Sequence, residues 1–449
     1  MTRSVSRTYL VTGLALFAMY FGAGNLIFPV MIGAESAGAR PAVLAGFLLT
    51  GVALPILGML AVATERPGES GGIASRIGAM PGLVFTLVIF LSTGMLYAIP
   101  RVITISYEMS VRPFLAGPAA AGPLPLALYA AAFVAIAIAL TINPRRLIDH
   151  VGGWLTPALL ALLVILITAA AWRLSATGGA PSGEYATHPL PAGLLQGYFT
   201  MDALASFVFG VVIIAQLRDR GFTGRRRLLP AMAIVGAITG IGLAAVYVGL
   251  ALLGNRVADA GVDNGAQALA FAAETLFGRP GVALFGAIAI LACLTTAVGL
   301  FGAAGQYFAR LIPGARYRVV LAVHAVVAFV LANLGLDAIL AVVAPINQLI
   351  YPVAICIIAV ALIEAALAIV RPRQLRWTYR LAAWVAAAVA LPEALATTGI
   401  AAFAPLREVL AGVPGGAFQM AWVLPALAAA LIGALLDTRI IAREPVIAS

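Results

Sequence analysis

Phe17-Ala-Met-Tyr-Phe-Gly-Ala-Gly-Asn-Leu-Ile-Phe-Pro29 decides how this chain is read. It sits inside an apolar run, Tyr9–Ile32, long enough to cross a bilayer as a helix of about 20 residues. Two glycines, an asparagine and a proline nevertheless crowd into Gly22–Pro29, a mixture that disfavours a continuous helix. Irregular backbone survives at membrane depth where protein or a watery cavity satisfies its freed peptide groups. A break here offers bare carbonyls to a cation and a new helix N-terminus to a carboxylate. The competing explanation, a glycine-lined helix contact with a proline kink, gives Asn25 no purpose. The stretch therefore reads as a discontinuous membrane helix.

Working outward, the composition agrees. Of 449 residues 63% are hydrophobic and 10% charged, against about 25% charged in soluble domains. The first half holds apolar runs at Tyr9–Ile32, Ala42–Ala63, Leu83–Glu108, Leu124–Ile142, Trp154–Trp172 and Leu194–Leu217. The second holds Leu229–Leu253, Val282–Ala309, Val319–Leu334, Ala341–Ile363, Leu381–Thr398 and Phe418–Leu436. The eleventh is the least regular, because Pro392 and Glu393 fall within it. The expectation is one all-α polytopic transmembrane domain over residues 1–449 with about twelve spans.

All 27 basic residues are arginine. With a cytoplasmic N-terminus, 20 of them lie on inside segments, Arg145, Arg371, Arg373 and Arg443 included, and six on outside loops. That asymmetry follows the positive-inside rule and puts both termini in the cytoplasm. The net charge of +10 thus reads as membrane topology, and no nucleic-acid partner is expected. Cys293 and Cys356 lie inside apolar runs and offer neither a disulfide framework nor a metal motif. Gly68-Glu-Ser-Gly71 resembles an intramembrane protease motif but falls in a charged loop, and no cluster of convergent titratable groups suggests an enzyme.

Charges inside spans are costly and usually face a partner or a cavity. Asp202 stands out in Gly197-Tyr-Phe-Thr-Met-Asp-Ala-Leu-Ala-Ser206, as do Arg101 and Glu108 in Tyr97-Ala-Ile-Pro-Arg-Val-Ile-Thr-Ile-Ser-Tyr-Glu108. A structural Asp202–Arg101 ion pair, or an Arg101 snorkelling to headgroups, is the plainer account of both. The eighth run adds Thr295 and Thr296, adjacent hydroxyls that suit a hard cation, although threonines in membrane helices usually bond back to their own i−4 carbonyl.

The quoted first-helix stretch resembles the signature of the bacterial branched-chain amino acid:cation symporters, the branched-chain amino acid transport system II carriers. The likeness continues through Tyr97-Ala-Ile-Pro-Arg-Val102, Gly197-Tyr-Phe-Thr-Met-Asp-Ala-Leu204, Leu291-Ala-Cys-Leu-Thr-Thr-Ala-Val-Gly299 and Leu349-Ile-Tyr-Pro352, in the family's order. Val30 follows Pro29 where that family usually has a second proline.

The resemblance implies a leucine-transporter-type fold. Inverted repeats would occupy residues 9–172 and 194–363, with discontinuous first and sixth helices and two accessory helices at 381–436. It also implies a sodium ion, the coupling ion rather than a cofactor, on the carbonyls of Ala18, Phe21 and Ala292 and the hydroxyls of Thr295 and Thr296. The substrate carboxylate would meet the amides of Ala23, Gly24 and Asn25 beside Gly22. Its ammonium would take carbonyls near Met19, Phe21 and Thr200, with Asp202 as charged partner. Met201, Phe207 and Tyr97 would wall the aliphatic pocket, and Arg101 and Glu108 would serve gating or helix packing. The implied activity is sodium-coupled import of leucine, isoleucine and valine. Proton coupling through Asp202 or another amino acid as substrate is the alternative, and a channel or membrane-embedded enzyme the different-class one.

Overall fold

The computed structural model describes residues 2–66, 72–115, 122–143, 146–176, 179–261, 264–334, 336–368, 374–398, 400–403 and 405–441. Gly68–Gly71 and Arg145, Arg371, Arg373 and Arg443 lie outside them. Regular structure among the described residues is helical throughout. In order the main helices are α1 Thr2–Tyr20, α2 Ala23–Ser36, α3 Arg40–Leu48, α4 Leu54–Val62, α5 Ala79–Leu91 and α6 Ala98–Ser110. There follow α7 Pro123–Thr141, α8 Thr156–Arg173, α9 Pro189–Phe199, α10 Asp202–Asp219, α11 Arg225–Arg256 and α12 Gly265–Phe277. The last five are α13 Arg279–Leu311, α14 Tyr317–Ala332, α15 Leu336–Leu367, α16 Arg376–Ala396 and α17 Val423–Ile441.

Among the described residues eight helices are long and apolar enough to cross a membrane, or nine with the bent pair α9–α10 counted as one span. That is fewer than the twelve apolar runs; α14, for one, stops at 16 residues. The irregular eleventh run is helical straight through Pro392. Its carboxylate is put to use, since Glu393 accepts the backbone N–H of Ala421 at 3.1 Å.

Contacts divide the chain into two compact units, residues 1–56 with 93–339 and residues 57–92 with 340–449. In the first, α13 is the core rod, packed by α1, α6, α10, α12 and α14. Its apolar window is 78% buried against 28% for α7, so α7 shows most of its surface to lipid. Lipid tails give apolar helices little reason to associate, and close backbone approach must supply the attraction. At the α2–α11 contact a Cβ on Gly33 would lie 1.9 Å from the Ala251 carbonyl oxygen, and one on Gly254 2.0 Å from that of Val30. Each helix thus brings a glycine to the other's backbone.

In the second unit α16 packs along α17. The Asp437 carboxylate of α17 accepts the backbone N–H groups of Trp377 and Thr378, at 2.9 and 3.0 Å, capping the first turn of α16. Glu364 of α15 is equally occupied, receiving Arg66, Arg76, the Tyr379 hydroxyl and the Leu375 N–H.

Among the described residues three spans are interrupted. The first breaks between α1 and α2, the sixth between α9 and α10 with a 43° bend. The third has a wide turn over Ser92–Leu96 in which Gly94 leaves helical geometry (φ −96°, ψ −123°), and α6 restarts after Tyr97. Nothing in the sequence anticipates that third interruption.

Candidate functional site

The first break is narrower than Gly22–Pro29. Phe21 N still donates to Phe17 O at 2.8 Å, after which Gly22 turns extended (φ −96°, ψ −168°), its N–H reaching Tyr20 O at 2.8 Å. From Ala23 the chain is helical again and stays so through Pro29 to Ser36. The physical reason is that a proline a full turn inside a helix removes one hydrogen bond without forbidding helical φ. Gly22, at the N-cap, has no side chain to cap α2, so the first-turn amides of Ala23, Gly24 and Asn25 form a positive helix end.

The second break is made differently. Met201 adopts the left-handed region (φ 62°, ψ 15°), unusual for a residue with a side chain, and α10 starts at Asp202. The Thr200 hydroxyl turns back to the Gly197 carbonyl at 2.8 Å.

A buried side-chain link joins the two breaks. Asn25 Nδ2 donates to Asp202 Oδ2 at 2.6 Å and makes a second, short bond to the Tyr247 hydroxyl of α11. All three residues are buried, Asn25 to 3% exposure and Asp202 to 5%. A parallel strut runs from α1: the Tyr20 hydroxyl donates to Ser206 Oγ at 2.8 Å, and Ser206 Oγ lies 2.9 Å from the Pro55 carbonyl. The broken halves of both helices are thus held by groups that must stay paired in a dry interior.

On the other side of the first break stands α13. Thr295 Oγ1 lies 2.9 Å from Ala18 O, 2.9 Å from Leu291 O and 3.0 Å from Ala292 O, and Thr296 Oγ1 lies 3.4 Å from Ala18 O. Back-bonding to the helix and a bridge to α1 therefore coexist at one hydroxyl. Thr295 has a single proton, and three carbonyls compete for it. Such a surplus of acceptors suits a hard cation, which prefers oxygen ligands. Among the described residues no cluster of His, Cys, Asp or Glu could hold a transition metal. Four of the five expected ligand residues, Ala18, Ala292, Thr295 and Thr296, meet here, and Gly22 faces them: its Cβ would lie 3.2 Å from Thr296 Oγ1. Phe21 is on the adjoining link, its ring stacked on Phe17 at 5.3 Å and on Tyr247 at 6.1 Å.

The remaining expected residues lie as follows. The Met19 side chain is buried against Gly299 of α13. Phe207 is buried beside Ser206 on α10. Tyr97 sits at the third interruption, its hydroxyl accepting Arg101 Nη1 at 2.8 Å, with the guanidinium 5.0 Å from the ring centroid. A Cβ on Gly24 would stand 3.7 Å from Arg101 Nη2, which puts this arginine against the first break. Asp202 and Arg101 form no ion pair; each is bonded by a neutral partner. Glu108 stands apart, in an exposed pair with Arg112 at 2.6 Å.

Sequence reasoning overlooked Tyr20, Ser206 and Tyr247. Tyr247 carried a usable signal, a lone hydroxyl in the apolar run Leu243–Leu250 that had to find a partner. Tyr20 lay within the deciding stretch itself.

Discontinuous first and sixth spans, linked across a buried polar centre and packed on an uninterrupted eighth, define a leucine-transporter-type fold. In agreement, the structure matches Mhp1, a nucleobase-cation-symport-1 family transporter in a closed conformation with bromovinylhydantoin bound. The TM-score is 0.56, covering 98% of this chain and 94% of that one at 15% identity. By sequence the chain belongs to the branched-chain amino acid transport protein family, which matches residues 5–440. It is 41% identical to the branched-chain amino acid permease BrnQ of Corynebacterium glutamicum over 96% of this chain and 95% of that one. Against the branched-chain amino acid permease BraB of Bacillus subtilis the identity is 35%, over 95% of each. The family is one of transport proteins, not of enzymes.

Proposed function

We propose that this protein imports leucine, isoleucine and valine across the bacterial inner membrane by alternating access, coupled to sodium, with both termini in the cytoplasm. Repeats over residues 9–172 and 194–363 would carry the site, and 381–436 the accessory helices. The observation that carries the coupling is the meeting of Thr295 and Thr296 with the Ala18 carbonyl, beside the link at Phe21–Gly22. Sodium on these oxygens, with the Ala292 and Phe21 carbonyls, would tie α13 to the end of α1 and order the segment that also starts α2. The substrate carboxylate would rest on the amides of Ala23, Gly24 and Asn25, favoured by the helix dipole. Its ammonium would face the carbonyls near Met19, Phe21 and Thr200, with Asp202 as counter-charge, and its side chain Met201, Phe207 and Tyr97. Each ligand then strengthens the other's binding by the same factor. An inside-negative potential adds about 2.3 kcal/mol per charge per 100 mV to the drive.

The deciding experiment is leucine uptake into proteoliposomes with sodium and proton gradients imposed separately. A sodium gradient alone should drive uptake. Thr295→Ala should raise the half-saturating sodium concentration roughly tenfold, equivalent to about 1.4 kcal/mol. Uptake driven by a proton gradient without sodium, and unchanged in Thr295→Ala, moves the coupling to Asp202, whose burial among neutral partners is the observation favouring that second reading.

A further inference from the structure

Beyond the gating or packing role that the family resemblance implies, the transport scheme gives Arg101 nothing to bind. It stands in the Ala79–Phe114 span, more than three helical turns, roughly 20 Å, from the nearer end. Glu108 and Arg112, the exposed pair on the same stretch, lie about two and three turns further along, roughly 10 and 16 Å, so the Arg101 head is too deep to reach that level by snorkelling. Its Nη1 bonds the neutral Tyr97 hydroxyl, its Nε is buried without a hydrogen-bond partner, and among the described residues no carboxylate pairs with it. A guanidinium at this depth with no carboxylate in contact is costly, and Asp202, across the same corner, is bonded to Asn25 instead.

Position says what supplies the opposite charge. Gly24 and Asn25 are consecutive in the first turn of α2. Gly24 faces Arg101, with 3.7 Å between its Cβ position and Nη2, while the Asn25 side chain holds Asp202 at 2.6 Å. One cation and one carboxylate thus flank the same corner without touching each other. A molecule carrying both charges close together satisfies both groups at once; an amine without a carboxylate leaves Arg101 alone. We propose that the Arg101 guanidinium binds the carboxylate of the transported amino acid and makes this site selective for zwitterions. The fork geometry of arginine matches a carboxylate bidentately and adds a full positive charge to the partial charges of the amides at the helix end.

The inference rests on the amino-acid transport reading, and its test separates the two. The full-length protein, purified in detergent with sodium, is titrated with leucine and with leucinamide, which keeps the ammonium and side chain but lacks the carboxylate. Wild type should bind leucine roughly 10- to 100-fold more tightly than leucinamide, the range expected of a charge-assisted hydrogen bond. Arg101→Gln should weaken leucine by a similar factor and leave leucinamide within about twofold, so that discrimination falls at least tenfold; Arg101→Lys should recover part of it. Retained leucinamide binding shows that the variant is folded. Equal weakening of both ligands, or undiminished leucine binding, overturns the assignment. Should Arg101→Gln fail to fold, wild type decides: equal affinity for leucine and leucinamide also overturns it. If wild type binds no amino acid, the transport reading fails instead.

Discussion

The two helix breaks do the same job by opposite means. At the first, Phe21–Gly22, the backbone is merely extended, a conformation open to any residue, and glycine is there because of what lies opposite: Thr296 Oγ1, 3.2 Å from the place a Cβ would take. At the second, Met201 stands in the left-handed region despite its side chain, with neither glycine nor proline in Thr200–Asp202. A non-glycine residue there costs about 1–2 kcal/mol and persists where its surroundings dictate the conformation. The surroundings are the bonds of the next two turns: Asp202 to Asn25, and Ser206 to Tyr20. One break is allowed by its own residues; the other is imposed by its partners.

The largest expected effect breaks that comparison at its shared point. Asn25→Leu removes the donor that Asp202 and Tyr247 share, taking a hydrogen bond from each of two buried polar groups at about 1–3 kcal/mol apiece. Leucine uptake should fall roughly 100-fold or more while the protein still inserts in the membrane. Near-normal uptake would show that the two breaks do not need this link.

Next comes Gly22→Ala. The extended backbone accepts alanine, so the harm is confined to the Cβ pressing on Thr296, and the half-saturating sodium concentration should rise roughly threefold, about 0.7 kcal/mol. A loss of leucine affinity without any change in sodium affinity would place the crowding on the substrate instead.

Smallest is Met201→Gly, which relieves the left-handed strain. The gain, about 1 kcal/mol at most, should appear as a higher thermal midpoint in detergent. A lower midpoint would mean that the methionine side chain contributes more than its backbone loses.

Legibility followed the same divide. The first break could be read because glycine, asparagine and proline announce local backbone trouble within a few residues. The second was found through Asp202, a carboxylate with no place in an apolar run, and not through any helix-breaking residue. The interruption at Gly94 went unread, since Ser92-Thr-Gly-Met-Leu96 holds nothing that a packed membrane helix would not also hold. Thr295 admitted two explanations from sequence, back-bonding and a cation ligand; the fold shows the back-bond to Leu291 O and, at the same hydroxyl, a contact with Ala18 O that the sequence did not state. The Asp202–Arg101 pair was the natural guess for two opposite charges in hydrocarbon, yet the chain satisfies Asp202 with an amide and Arg101 with a phenol.

Taken alone, the amino-acid sequence determined the solvent, the helical class, the place of the two breaks and the family, because each is written in composition or in contiguous residues. Which oxygen meets which hydroxyl was decided by tertiary structure. Asn25 and Asp202 are 177 residues apart, Asn25 and Tyr247 222, and Ala18 and Thr295 277. A local stretch can state that a polar group needs a partner. Only helix packing, where glycines let backbones touch, chooses that partner from the far end of the chain.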